Sequence, residues 1–107
     1  MDEREIYEAL IAAAESGESL VLATVVRVKG STPRDTGSKM LIAENGRQIG
    51  TIGGGCGEAE VLEAAREVMG TGIPRLVRVD LTEDYLSWSP AVCGGTMDVF
   101  IELVPNR

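Results

Sequence analysis

The sequence predicts an α+β fold: a mixed α/β sandwich with about five strands, one β-hairpin and two helices. Three observations carry this expectation. Two segments repeat apolar residues at helical spacing. Five segments are rich in β-branched residues or alternate polar and apolar side chains. An Asn-Gly pair between two of those segments is a hairpin signal. At 107 residues the chain is expected to be a single domain covering 1–107, since domains commonly run to about 100–150 residues.

Residues 3–16 read as the first helix, with Ile6, Leu10, Ala13 and Ala14 on one face and Gly17 as its stop. Residues 20–28 (LVLATVVRV) are β-branched and read as a buried strand. Residues 30–37 (GSTPRDTG) form a loop stiffened by Pro33. Residues 38–43 (SKMLIA) make a second strand, and 47–52 return antiparallel to it. Asn45-Gly46 between them suits the positive φ angles of a type I′ turn. The glycine loop 53–57 (GGGCG) leads into a second helix over 58–69, with Val61, Leu62, Ala65, Val68 and Met69 on its apolar side. Gly70-Thr71-Gly72 ends it. Residues 75–80 (RLVRVD) alternate as a half-exposed strand should, residues 82–90 hold a short turn or helix, and Cys93-Gly94-Gly95 is a second tight turn. Residues 96–103 (TMDVFIEL) close the domain as a strand.

Composition excludes several classes. The formal net charge is −7, from 10 basic and 17 acidic residues, and only four residues are aromatic. A nucleic-acid binder needs a basic footprint and usually aromatic stacking platforms. With no histidine, Ser-His-Asp and Cys-His catalytic arrangements are impossible within these residues, as is a closed Cys/His zinc site. No apolar run approaches the roughly 20 residues needed to span a bilayer. The acidic start, Met1-Asp2-Glu3-Arg4-Glu5, does not read as a signal peptide. The expected location is cytoplasmic, where thiols stay reduced, so Cys56 and Cys93 are expected to be free.

Three segments carry chemistry. In GTIGGGCGEAE, Gly53, Gly54, Gly55 and Gly57 surround Cys56 at a strand-to-helix junction. Missing Cβ atoms there let a ligand approach the backbone, and the helix dipole favours a thiolate. Glu58 and Glu60 oppose an anion site at the same place, because they already complement the dipole. The spacing is neither a Walker A nor a dinucleotide-binding fingerprint. In GSTPRDTGSKM, Ser31, Thr32, Thr36 and Ser38 offer hydroxyls, and Arg34 and Lys39 offer positive charge. An arginine there suits bidentate contact with phosphate. In VCGGTMD, Cys93 precedes Gly94 and Gly95 at the start of a strand. The bland alternatives are a tight turn with a small buried thiol and a solvated polar loop. Two glycine-embedded cysteines in one short chain are harder to dismiss than one. Thiolates beside an anion-binding loop suit a soft or sulfur-bearing ligand.

Taken in order, GSTPRDTGSKM, GTIGGGCGEAEV and CGGTMDVFIE resemble the N-terminal domain of the XdhC/CoxI family over about residues 21–103. That resemblance implies an accessory protein, not an enzyme, with no catalytic residues and no resident metal of its own. It would bind the molybdenum cofactor (molybdopterin) transiently. It would help install the sulfido ligand and insert the cofactor into a xanthine dehydrogenase- or CO dehydrogenase-type molybdenum hydroxylase apoenzyme. It matches Cys56 to the family cysteine associated with cofactor binding and Cys93 to the second motif cysteine. It matches Ser31, Thr32, Pro33 and Arg34 to the loop motif, where charge alone points Arg34 to the pterin phosphate. With the glycines read above, Gly53, Gly54, Gly55, Gly57, Gly94 and Gly95, these are the expected cofactor-binding residues. Full-length members usually add a C-terminal Rossmann-like domain, which is absent from these 107 residues. A separate Rossmann-domain partner or a homo-oligomer is therefore a further expectation. Two alternatives are a small thiol-dependent redox or sulfur-transfer enzyme and an interaction module that docks on a dehydrogenase. No nucleic-acid or membrane partner is expected.

Overall fold

The computed structural model describes residues 3–30, 32, 35–52, 57–81 and 94–105. The elements run α1 (Glu3–Ser16), β1 (Leu20–Lys29), β2 (Lys39–Ala43), β3 (Gln48–Gly50), α2 (Glu58–Thr71), β4 (Arg75–Asp80) and β5 (Thr96–Val104). The strands form one sheet in the order β3-β2-β1-β5-β4, and every pairing is antiparallel. This is the expected α+β class.

Alternation along the strands sorts side chains between the two faces of the sheet. Val21, Ala23 and Val25 of β1 join Met40, Ile42, Met97, Val99 and Ile101 beneath Val61, Ala64, Ala65 and Val68 of α2. Leu20, Leu41 and Ala43 face the other way and pack with Ile6 and Ala13 of α1. Each large aliphatic side chain so buried contributes roughly 1.5–3 kcal/mol. Helix α1 contacts β2 and β3, whereas α2 lies across β1, β4 and β5. Among the described residues, no helix lies on the α1 face of β5 and β4. Leu76 is 63% exposed there.

Four local departures from the sequence reading have clear causes. The hairpin is not a type I′ turn. No non-glycine residue among those described has positive φ, and Gly46 alone in the turn does, at 87°. Gly46 N–H donates to Ala43 O at 2.9 Å and Ala43 N–H donates to Arg47 O at 2.8 Å, which closes a three-residue loop. Strand β3 is shorter than 47–52 because Gly50 leaves extended geometry at φ 83°. Helix α2 runs past Met69 to Thr71, and Gly72 caps it by donating to Val68 O at 2.8 Å. In β1 a bulge shifts the register from Val25↔Val99 to Arg27↔Asp98 and leaves Val26 over. The turn or helix expected over 82–90 lies outside the described residues. No helix among the described residues is long and apolar enough to cross a membrane.

Candidate functional site

The flanks of all three glycine motifs meet at one end of the sheet. Lys29 at the end of β1 pairs with Thr96 at the start of β5, and Thr96 pairs with Asp80 at the end of β4. Gly30 therefore leaves the sheet beside Gly94 and Gly95. A Cβ built on Gly30 would lie 3.1 Å from Gly95 Cα and 3.4 Å from Gly94 O. The polar loop and the second glycine turn thus touch through backbone.

Leu81 joins the remaining motif to this pair. Its N–H donates to Gly95 O at 2.9 Å. Its side chain is buried, and Cδ2 lies 3.2 Å from where a Gly57 Cβ would stand. Gly57 is the N-cap of α2 and has φ 70°, a left-handed conformation that glycine adopts freely. Val79 Cγ1 already occupies the space that its Cβ would take. The order of contact is Gly57, Leu81, Gly95, Gly30. Leu81 was not singled out by sequence, because it lies between two motifs and in neither.

Of the residues expected at the site, Thr32, Gly57, Gly94 and Gly95 are among those described. Thr32 is half-buried, and Gly94 is exposed with open space where a Cβ would be. Cys56, Cys93, Gly53, Gly54, Gly55, Ser31 and Arg34 lie outside the described residues.

Charge is distributed differently from the sequence expectation. Lys39 Nζ donates to Gly37 O at 2.9 Å and lies 4.0 Å from Glu3 Oε1. Alternation explains this: Lys39 shares its face with Leu41 and Ala43, towards α1, while α2 lies on the other. Its charge is turned away from the start of α2. At that start, the Thr51 hydroxyl donates to the Glu58 carboxylate, tying together the two ends of the glycine loop.

A second charged group lies on the open face of the sheet. Asp98 is only 8% exposed. Arg78 Nε donates to Asp98 Oδ1 at 3.0 Å, and Arg27 Nε lies 3.8 Å from Asp98 Oδ2. Arg78's hydrogen bond is the main cause that holds the Asp98 carboxyl below its usual range. Desolvation opposes it, and the charges of Arg78 and Arg27 add to it. A carboxyl with a lowered folded-state pKa stabilises the fold above its unfolded pKa, near 4, and loses that contribution as pH falls through the folded value. The Asp98→Asn variant should therefore melt below the wild type at neutral pH, with the gap closing below about pH 4. Thermal melts across that range check this. A gap that stays constant with pH would contradict the assignment.

A groove of about 190 Å³ lies beside the hairpin, at the opposite end of β2. Ile42, Leu62 and Met69 line it together with Glu44, Gln48 and Arg66, and none of the described motif residues reaches it.

Comparison with known proteins places the chain in a family. Residues 13–80 match the model of the XdhC and CoxI family. The chain is 39% identical over 77 residues to the molybdenum cofactor insertion chaperone PaoD of Escherichia coli, covering 72% of this chain and 24% of that protein. It is 38% identical over 100 residues to a protein of Bacillus subtilis described as a probable xanthine dehydrogenase component, covering 92% of this chain and 30% of that one. A crystal structure of a xanthine dehydrogenase from Bacillus halodurans superimposes with a TM-score of 0.76 at 39% identity, over 91% of this chain and 30% of the other. The chain thus spans about a quarter to a third of the length of the relatives it matches. Half or more of its residues fall within the family match, and both relatives exceed a third in identity. The chain belongs to the XdhC and CoxI family.

Proposed function

We propose that this chain binds the molybdenum cofactor and acts in the maturation of a molybdenum hydroxylase, through cofactor sulfuration and insertion, without turnover of its own. The observation that carries the reading is the contact series Gly57, Leu81, Gly95, Gly30, which draws the flanks of three glycine motifs to one end of the sheet. The name of the Escherichia coli relative, a molybdenum cofactor insertion chaperone, supports the same reading.

The described residues fit a group of this kind. Gly94 is exposed, with open space where a Cβ would stand, so a ligand can reach its backbone. Thr32 adds a hydroxyl and Lys29 a cation at the same end. Cys56 and Cys93 would supply soft thiolate donors, and Gly53, Gly54, Gly55, Ser31 and Arg34 would complete the cradle. When bound, the cofactor would supply a molybdenum centre, the kind of polarisable group that soft thiolate donors favour. The chain's own part is to hold it against backbone and keep it out of bulk water. The natural partner is the hydroxylase apoenzyme, with a Rossmann-domain protein or a second copy as a further partner, in the cytoplasm.

Mixing purified protein with molybdenum cofactor and separating by size tests this. The wild type should retain the cofactor. Cys56→Ala and Cys93→Ala should each retain it at least about tenfold more weakly, equivalent to roughly 1.4 kcal/mol. Equal retention by wild type and Cys56→Ala would overturn the reading.

A further inference from the structure

The start of α2 is a poor place for an anion, because the Glu58 carboxylate already sits there. The open face of the sheet is better equipped. Strict alternation after Val21, Ala23 and Val25 would bury Arg27 beneath α2. The bulge at Val26 prevents this. It returns Val28 to the core side and turns Arg27 onto the face of Asp98 and Arg78. Bulges are over-represented beside functional sites, where they re-aim a side chain.

The result is two guanidinium groups on either side of one nearly buried carboxylate. The side chains of Arg27 and Arg78 are 74% and 66% exposed, so most of their donors face solvent. Lys29 follows on the same face, paired with Thr96. At this end of the face Arg27, Arg78 and Lys29 outnumber the carboxylates Asp98 and Asp80, a locally positive spot in a chain of net charge −7. Asp98 fixes the Arg78 guanidinium by a hydrogen bond to Nε and attracts Arg27, whose Nε lies 3.8 Å away, so the outer edges of both groups can form a fork. Arg27 and Asp98 are each three residues from the Gly30–Gly95 junction, roughly 10 Å along extended strand.

We infer that Arg27 and Arg78, spaced by Asp98, form a clamp for the phosphate group of a small phosphorylated ligand whose other end lies at the glycine junction. The clamp is a positioning device: it holds one end of the ligand while the glycine turns meet the other. A second copy of this chain is a poor occupant, because a two-fold contact would set arginine against arginine. This deepens the proposed function and rests on it only for the identity of the ligand's other end.

The test uses inorganic phosphate and pyrophosphate, with chloride at matched ionic strength, and no molybdenum cofactor. Nitrogen NMR of the arginine Nε–H groups and thermal melting are the readouts. Phosphate should shift the Arg27 and Arg78 signals saturably and raise the melting temperature, whereas chloride should not. Arg27→Gln and Arg78→Gln should bind about tenfold more weakly, and Arg27→Lys should restore charge without the fork and recover only part. Arg66→Gln, an exposed arginine at the hairpin groove, should leave the phosphate response intact. No saturable response in the wild type, or an equal response in both glutamine variants, would overturn the clamp. Variants that keep the phosphate response but lose docking to an apoenzyme would also overturn it, in favour of an acidic protein partner. A normal phosphate response without cofactor retention would instead overturn the proposed function and leave the clamp standing.

Discussion

Gly57→Ala should destabilise the domain by about 2–5 kcal/mol, a large share of the roughly 5–15 kcal/mol that holds a domain of this size together. Two costs add. An L-residue at the left-handed angle of 70° costs about 1–2 kcal/mol. The new methyl would also enter space held by Val79 Cγ1 and press on Leu81 Cδ2 at 3.2 Å, and overpacking of this kind costs about 1–3 kcal/mol. Val79 has no room to yield, since it is fully buried and its branched side chain is stiff at χ1. Urea unfolding measures the loss. Gly70→Ala gives the opposite sign in the same helix. Gly70 lies inside α2 with open space around it, so alanine there should stabilise by about 0.5–1 kcal/mol. If the two substitutions cost the same, the Val79 contact is not what excludes a side chain at Gly57. Cofactor retention by Gly57→Ala, measured where the variant is still folded, should also fall, because the methyl displaces the Leu81 hinge between two motifs.

How much of this was legible depends on how local each cause is. The strands over residues 20–28 and 96–103 follow from alternation and β-branching, and both helices follow from spacing. The hairpin was found from Asn45-Gly46, but its type was not. Asn-Gly serves both a two-residue turn and a three-residue loop that ends in left-handed glycine, and only the φ of Asn45 separates them. Lys39 could have been placed by counting alternate residues from Leu41; its charge drew attention to the loop instead. The bulge was hidden, because Val25-Val26 looks like any β-branched run, and a one-residue surplus shows only against the partner strand. Plain alternation beyond Val25 turns Arg27 toward the core, so its meeting with Asp98 and Arg78 was out of reach. The motifs themselves were visible. Their convergence was not, because it comes from pairing β1 with β5, whose partners are far apart in sequence.

Gly30→Ala should cost about 2–3 kcal/mol and weaken ligand retention by more than that loss of folding accounts for. Gly30 has φ 77°, which alone costs an alanine about 1–2 kcal/mol. The remainder comes from the new Cβ at 3.1 Å from Gly95 Cα and 3.4 Å from Gly94 O. These are backbone atoms, so no side-chain rotation relieves them, and β1 and β5 must splay beyond the Lys29–Thr96 pair. Gly37→Ala is the matched control. Gly37 has φ 96° in the same loop, but nothing lies within 4 Å of its Cβ position, so it carries the conformational cost without the contact. The difference in unfolding free energy between the two variants should therefore isolate the contact, at about 1 kcal/mol. Retention should separate them further. Gly37→Ala leaves the Gly30–Gly95 approach intact and should bind close to wild type once corrected for folding. Gly30→Ala moves the polar loop away from the second glycine turn and should bind about tenfold more weakly. Equal retention by the two would mean that the contact holds the fold together but plays no part in shaping the site.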